Sequence, residues 1–204
     1  QTMDYSHVRL TKFMSWFLRH NLENSGIIYD PGGWVKVIDL INYYNINYSN
    51  KNSITINDIV VVVKNCKKQR FSIRGGEQAM EIRANQGHSV GNISNSSLLT
   101  RITEPLPVCV HGTTPEAWHL IKRNGLSRMA RQHIHMAIGI PGDKQVISGM
   151  RSTSRIVISI DMTKAMRDGF PFYMSSNGVI LSPGPIPIQY FSSVVDRRTG
   201  RSIV

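Results

Sequence analysis

Acidic residues are scarce in this chain. Its 204 residues hold 13 Asp plus Glu against 24 Lys plus Arg, a formal charge of +11. An excess of that size points to a polyanionic partner, nucleic acid first and anionic membrane second. Cysteine is nearly absent: Cys66 and Cys109 lie far apart and outside any C-x-x-C. That excludes a disulfide framework and fits buried thiols in a reducing compartment. The longest apolar run, Ile59 to Val63, is far too short to span a bilayer, so no membrane partner is expected. Neither G-x-G-x-x-G nor G-x-x-x-x-G-K occurs, which removes the Rossmann and P-loop nucleotide folds. No charged-then-apolar leader opens the chain, and a start at Gln1 is read as trimmed.

What is present reads as a globular protein: 41% apolar and 18% charged residues, enough for one large domain or two small ones. From Ser6 to His20, Leu10, Phe13, Met14, Phe17 and Leu18 recur at helical spacing, predicting an amphipathic helix that ends at Arg19-His20. A turn at "DPGGW" and a short helix around Leu40 and Ile41 follow. The Asn- and Tyr-rich stretch from 42 to 53 reads as a surface loop. Thr55 with Asp58 makes a capping box for a helix bearing Ile56, Ile59, Val60 and Val63; four consecutive valines leave strand as the alternative, and the cap and the Lys64-Lys67-Lys68 end favor helix. "RFSI" and "MEIRA" alternate around "RGGEQ", a hairpin signature. Three helices then a hairpin is the order of a winged-helix module. Gly91 to Pro107 is rich in Ser, Asn, Thr and Pro and reads as a linker.

In the second half, "VCV" (108 to 110) is a predicted strand. Thr114-Pro115 opens a helix closed by Asn124-Gly125. "HIHMAI" alternates like a strand, and a helix is expected from Asp143. Ile156 to Ile160 is a buried strand and Asp161 caps a helix ending at Gly169. "GVIL" (178 to 181) is the last clear strand before Pro-rich coil. Short strands among helices suggest a mixed α/β lobe, without internal repeats.

The chemistry-bearing residues cluster in a few motifs. "IRANQGHSV" (82 to 90) crowds polar groups after a strand, with Arg83 opposite the buried face. "LRH" supplies Arg19 and His20, and "RQHIH" supplies Arg131, His133 and His135. Arginine forks match phosphate with paired hydrogen bonds, so several arginines with a histidine imply phosphate as substrate. Histidine titrates near neutrality, about pH 6.5 when unperturbed. His133 and His135 would share a strand face, but no third His or Cys completes a ligand set, so no metal is expected. "HGTT" (111 to 114) places a glycine where a ligand could approach backbone.

In order, "LRH", "GW", "KQRF", "IRANQGHS", "HGT", "RQHIH" and "FY…SSNGVIL" resemble the tRNA 2′-phosphotransferase family over Leu10 to Phe191. The "PGD…VISGMR" segment (141 to 151) resembles its eukaryotic members. The resemblance implies an α+β fold. Residues 1–91 would form a winged-helix RNA-binding lobe and 92–107 a linker. Residues 108–204 would form an ADP-ribosyltransferase-like NAD-binding lobe, with the active site in the cleft between the lobes.

The resemblance also implies NAD-dependent removal of an internal 2′-phosphate from RNA, tRNA after splicing being the expected partner. The phosphate would attack the nicotinamide-bearing ribose of NAD. A second displacement would then give RNA 2′-hydroxyl and ADP-ribose 1″,2″-cyclic phosphate. Arg19, His20, Arg83 and Arg131 match the family's catalytic set. His111, Gly112, Thr113, His135, Asn177, Gly178 and Val179 match its NAD-binding motifs, and Arg19, Arg83, Asn85, Gln86 and His88 would meet RNA and phosphate. A phosphate needs no base, which fits the lack of a catalytic Glu at Asn177 to Val179.

Met174 and Ser175 stand where an Arg is expected beside Phe172-Tyr173. The expected protein is an intracellular monomer of cytoplasm or nucleus. Two other functions stay open: a non-catalytic winged-helix nucleic-acid-binding protein, and an ADP-ribosyltransferase that stops after the first step.

Overall fold

The structure is a computed structural model, and residues 5–48, 53–89, 91, 93–94 and 98–203 are described. The chain divides into two compact units, Gln1–Leu98 and Leu99–Val204. Each is mixed α/β.

The first unit opens with α1, Tyr5–Trp16. The helix does not end at His20, as its sequence suggested. It widens into a π-helical turn, Phe17–Asn21, and continues as α2, Leu22–Ser25, until Gly26 stops it with φ 72°. Leu10, Met14, Phe17, Leu18 and Leu22 are buried along one stripe. Such side chains contribute roughly 1.5–3 kcal/mol each when fully buried.

After the short β1 (Val35–Lys36) comes α3, Val37–Asn47. The expected loop is thus helical up to Asn47, while 49–52 lie outside the described residues. Tyr43 and Tyr44 explain the difference, since they pack on Phe17 and Phe13 at 4.7 and 4.8 Å between centroids. Asn45 closes the far side of the stretch by bonding Ile54 through both ends of its amide. The Thr55–Asp58 capping box is present at the start of α4, Ile56–Asn65. Its buried residues are Ile59 and Val62. β2 (Phe71–Arg74) and β3 (Glu81–Ala84) form the hairpin, and β1 joins β3 to complete a three-stranded antiparallel sheet.

The second unit is built on one antiparallel sheet of eight strands. These are β4 (Leu99–Arg101), β5 (Val110–Thr113), β6 (Ile134–Ala137), β7 (Ile156–Ile160), β8 (Tyr173–Ser175), β9 (Val179–Ser182), β10 (Phe191–Asp196) and β11 (Arg201–Ser202). Their order is β11-β10-β7-β5-β6-β9-β8-β4. α5 (Pro115–Asn124) carries the expected Thr114 cap, and α6 (Met162–Arg167) the expected Asp161 cap. Trp118, Met136, Ile158, Phe172, Ile180 and Val194 form the center of the core.

Four expectations are corrected here. The strand predicted at 108 to 110 begins at Val110 and takes in His111, Gly112 and Thr113. The stretch read as linker contains β4, whose Arg101 pairs with Tyr173. No helix follows Asp143: its carboxylate accepts from Ile140 N at 3.0 Å, and Gly142 and Gly149 take φ of 111° and 107°. Those are turn conformations that interrupt helical winding. Finally, the chain beyond Leu181 is not all coil, because β10 pairs along the whole of β7.

Candidate active site

In the first unit, two distant segments meet. The Arg19 carbonyl accepts from Ser89 N at 2.9 Å, and His20 Nδ1 lies 2.8 Å from Ser89 Oγ. Gly87 has φ 86°, and a Cβ there would lie 3.3 Å from Arg19 Nε. A glycine at 87 therefore lets the Arg19 side chain lie flat on the turn. Asn85 is buried and committed within the hairpin: its amide nitrogen donates to Gln69 O (2.7 Å) and its oxygen accepts from Ser72 (2.6 Å). Gln86 and His88 are buried beside it, and Gln86 Oε1 has no hydrogen-bond partner among the described residues.

Trp34 is the platform beneath the hairpin's arginines. The Arg74 guanidinium lies 4.3 Å and that of Arg83 4.6 Å from its ring. Asp30 fixes the assembly, accepting from Trp34 N through Oδ1 and pairing with Arg74 through Oδ2. Glu81 also pairs with Arg74, at 2.5 Å. Burial lowers the Arg83 pKa, Asp30 opposes that and Arg74 reinforces it.

In the second unit, β5 and β6 pair at Val110 and Ala137. Beyond that rung β5 keeps its ladder to β7, and on the β6 side a cleft of about 670 Å³ opens. His111, Gly112, Thr113, Arg131, His133 and His135 line it, together with Arg128 and Arg151. Leu120, Ile121, Leu126, Ile134 and Met150 give it an apolar side.

His111 Nδ1 donates to His135 O at 2.8 Å, and His135 Nδ1 donates to His133 O at 3.1 Å. A carbonyl can only accept, so each Nδ1 carries the proton. Burial pushes the His111 pKa down, partly offset by that bond. His133 is also lowered, by burial and then by Arg128. The Arg131 pKa is lowered by burial and then by the charge of Arg151. Arg128 secures the loop by donating to Arg131 O at 2.8 Å, while Met129 holds φ 55°, uncommon for a residue with a side chain.

Gly112 is explained by packing as much as by access. A Cβ there would overlap the Met150 side chain and lie 2.7 Å from Ser154 Oγ. Asn177, Gly178 and Val179 are not in the lining of this cleft. They form the β8–β9 turn, where Gly178 has φ 75° and Ser175 donates to Asn177 Oδ1 at 2.7 Å. Beside Phe172-Tyr173, Arg101 of β4 sits 5.2 Å from the Tyr173 ring and donates to its hydroxyl at 3.2 Å.

Residues 5–184 match the family described as RNA 2'-phosphotransferase, Tpt1 / KptA family. The chain belongs to this family. It is an enzyme of the transferase class. The tRNA 2'-phosphotransferase 1 of Danio rerio is 40% identical over 182 residues, covering 87% of this chain and 78% of the relative. That of Homo sapiens is 40% identical over 181 residues, 87% of this chain and 69% of the relative. A probable RNA 2'-phosphotransferase of Rhizobium leguminosarum is 33% identical over 183 residues, 90% and 92% of the two chains.

Sequence reasoning did not single out Trp34 and Arg74 beside Arg83, or Arg128, Met150 and Arg151 in the cleft lining. Trp34, Arg74, Met150 and Arg151 fell inside stretches already noticed, whereas Arg128 carried no local signal. Among the described residues no His, Cys, Asp and Glu side chains group to hold a metal ion. No described helix is long and apolar enough to cross a membrane.

Proposed function

We propose that this enzyme removes an internal 2′-phosphate from RNA, spliced tRNA being the leading substrate, with NAD as the co-substrate that accepts the phosphate. One observation carries the reading: Arg19-His20 is tied through Gly87 and Ser89 to the polar run that follows Arg83. Order and pairing support a winged-helix assignment for the first unit, and the splayed antiparallel sheet an ADP-ribosyltransferase-like one for the second. The proposed division is 1–91, 92–107 and 108–204, and the proposed state is a monomer.

The second unit's cleft fits NAD in size, since ligand sites commonly run to several hundred Å³. Its apolar side suits flat rings, and Arg128, Arg131 and Arg151 suit a diphosphate. His111, Gly112, Thr113 and His135 are assigned to hold the nicotinamide end, and Asn177, Gly178 and Val179 to shape the neighboring turn. When bound, NAD supplies an electrophilic ribose carbon carrying a stable leaving group.

Arg19 and Arg83 are assigned the non-bridging oxygens of the 2′-phosphate, to stabilise the charge that gathers there, and Arg131 is assigned its catalytic role from the second unit's cleft. His20, whose Nδ1 is engaged by Ser89, is assigned a proton at the RNA 2′-oxygen. Gln86 and His88 shape the phosphate site, and Asn85 fixes the hairpin that carries them.

The test is incubation with NAD and a short RNA bearing one internal 2′-phosphate. Expected products are RNA 2′-hydroxyl, nicotinamide and ADP-ribose 1″,2″-cyclic phosphate. No NAD-dependent phosphate release would overturn the reading. A stable ADP-ribosylated RNA would replace it with a one-step transferase.

A further inference from the structure

A second groove, about 550 Å³, runs along α1 in the first unit. Lys12, Ser15, Trp16, Arg19, His20 and Arg70 line it. Val8, Thr11, Lys12, Ser15, Trp16 and Arg19 recur at helical spacing, so they form a second stripe beside the buried one. No lining residue is acidic. Thr11 turns its hydroxyl back to His7 O, at 2.7 Å.

Trp16 is 41% exposed, unusual for so large an apolar ring. It is not loose: Phe13, Phe17 and Tyr48 surround it at centroid distances of 6.1, 6.3 and 6.4 Å. The indole is thus held by one set of contacts while another part stays bare. A fixed, bare aromatic among cations matches the two needs of an unpaired nucleic-acid strand, a stacking platform and phosphate neutralisation.

We propose that this groove binds an unpaired stretch of RNA next to the nucleotide that carries the 2′-phosphate, a base stacking on Trp16 and backbone phosphates on Lys12 and Arg70. Its continuity with Arg19 and His20 places the flanking strand beside the reacting phosphate. The inference rests on the proposed function for its choice of RNA and extends it to substrate length.

The test combines binding and turnover for the parent enzyme, Lys12→Ala and Trp16→Ala. Binding of unphosphorylated ten-nucleotide RNA is followed by fluorescence anisotropy across a salt series. Trp16→Ala is expected to weaken binding about tenfold, and Trp16→Phe to recover most of it. Lys12→Ala, at an exposed helix position, is expected to reduce the log–log salt slope by about 0.7. In turnover, both alanine variants should raise KM for a ten-nucleotide 2′-phosphorylated RNA more than for a two-nucleotide one.

Parent-like RNA binding in Lys12→Ala and Trp16→Phe together with Trp16→Ala overturns the proposal. So does an equal KM rise for both lengths. If the parent releases no phosphate but the variants lose RNA binding as expected, the function reading fails and the groove stands.

Discussion

Two arginines lie over the Trp34 ring with different surroundings. Arg74 is paired with Asp30 and Glu81, whereas the Arg83 guanidinium loses basicity mainly through burial, with Asp30 opposing that shift. A guanidinium fork matches two phosphate oxygens with paired hydrogen bonds, which a lysine ammonium does not. Arg83→Ala should lower kcat for 2′-phosphorylated RNA by about 10²–10³-fold. Its melting temperature should stay within a few degrees of the parent's. Arg83→Lys, keeping charge but not the fork, should recover only part of the rate. Parent-like turnover of the alanine variant would remove Arg83 from the site.

Cys109 behaves oppositely: burial pushes its thiol up to about 12. Iodoacetamide at pH 8 should leave it unmodified in the folded protein and label it after denaturation, as read by mass spectrometry.

At the scale of elements, His111 lies at the opening between β5 and β6, its Nδ1 hydrogen-bonded to His135 O. Its folded pKa is depressed by burial, as is that of His133. The unfolded chain therefore takes up protons near pH 6.5 that the folded one resists. These groups favor the fold above that pH, and the advantage is lost as pH falls below it. The melting temperature should fall between pH 7 and 5, and more gently in His111→Asn, which keeps a donor for His135 O.

Gly112→Ala tests the packing of the same strand. Displacing Met150 should cost about 1–3 kcal/mol, measured by denaturant unfolding. Met150→Ala in that background should return part of it.

For the whole molecule, the +11 charge makes RNA association depend on salt. The Kd for unphosphorylated RNA should rise roughly tenfold from about 50 to 200 mM salt if two to three phosphates are held. A flat response would mean that the charge does not face the RNA.

How much of this was readable beforehand follows the range of the forces involved. α4, α5 and α6 were legible because Thr55, Thr114 and Asp161 cap them locally. The helix through Asn42 to Asn47 was not, since Tyr43 and Tyr44 are recruited by Phe13 and Phe17 some thirty residues earlier. Strand β10 was hidden because its stability comes from pairing with β7, not from its own pattern. Asp143 looked like a cap but serves a turn set by two glycines. Arg19, Arg83, Arg131 and His135 stood in visible motifs. The Trp34 platform and Arg128 emerged only once the chain had folded.

The widened turn at Phe17–Asn21 amounts to a phase slip in an otherwise regular screw. One extra residue is accommodated there, so Leu22 stays on the stripe of Leu10 and Met14 while the residues within the turn change bearing. Deleting Asn21 should rewind the segment into regular α-helix, keep its helical circular dichroism and leave Leu22 on the buried stripe, while the bearing of Arg19 and His20 changes. Arg19 and His20 thus owe their bearing to a small winding defect, which a shorter, more regular helix would erase.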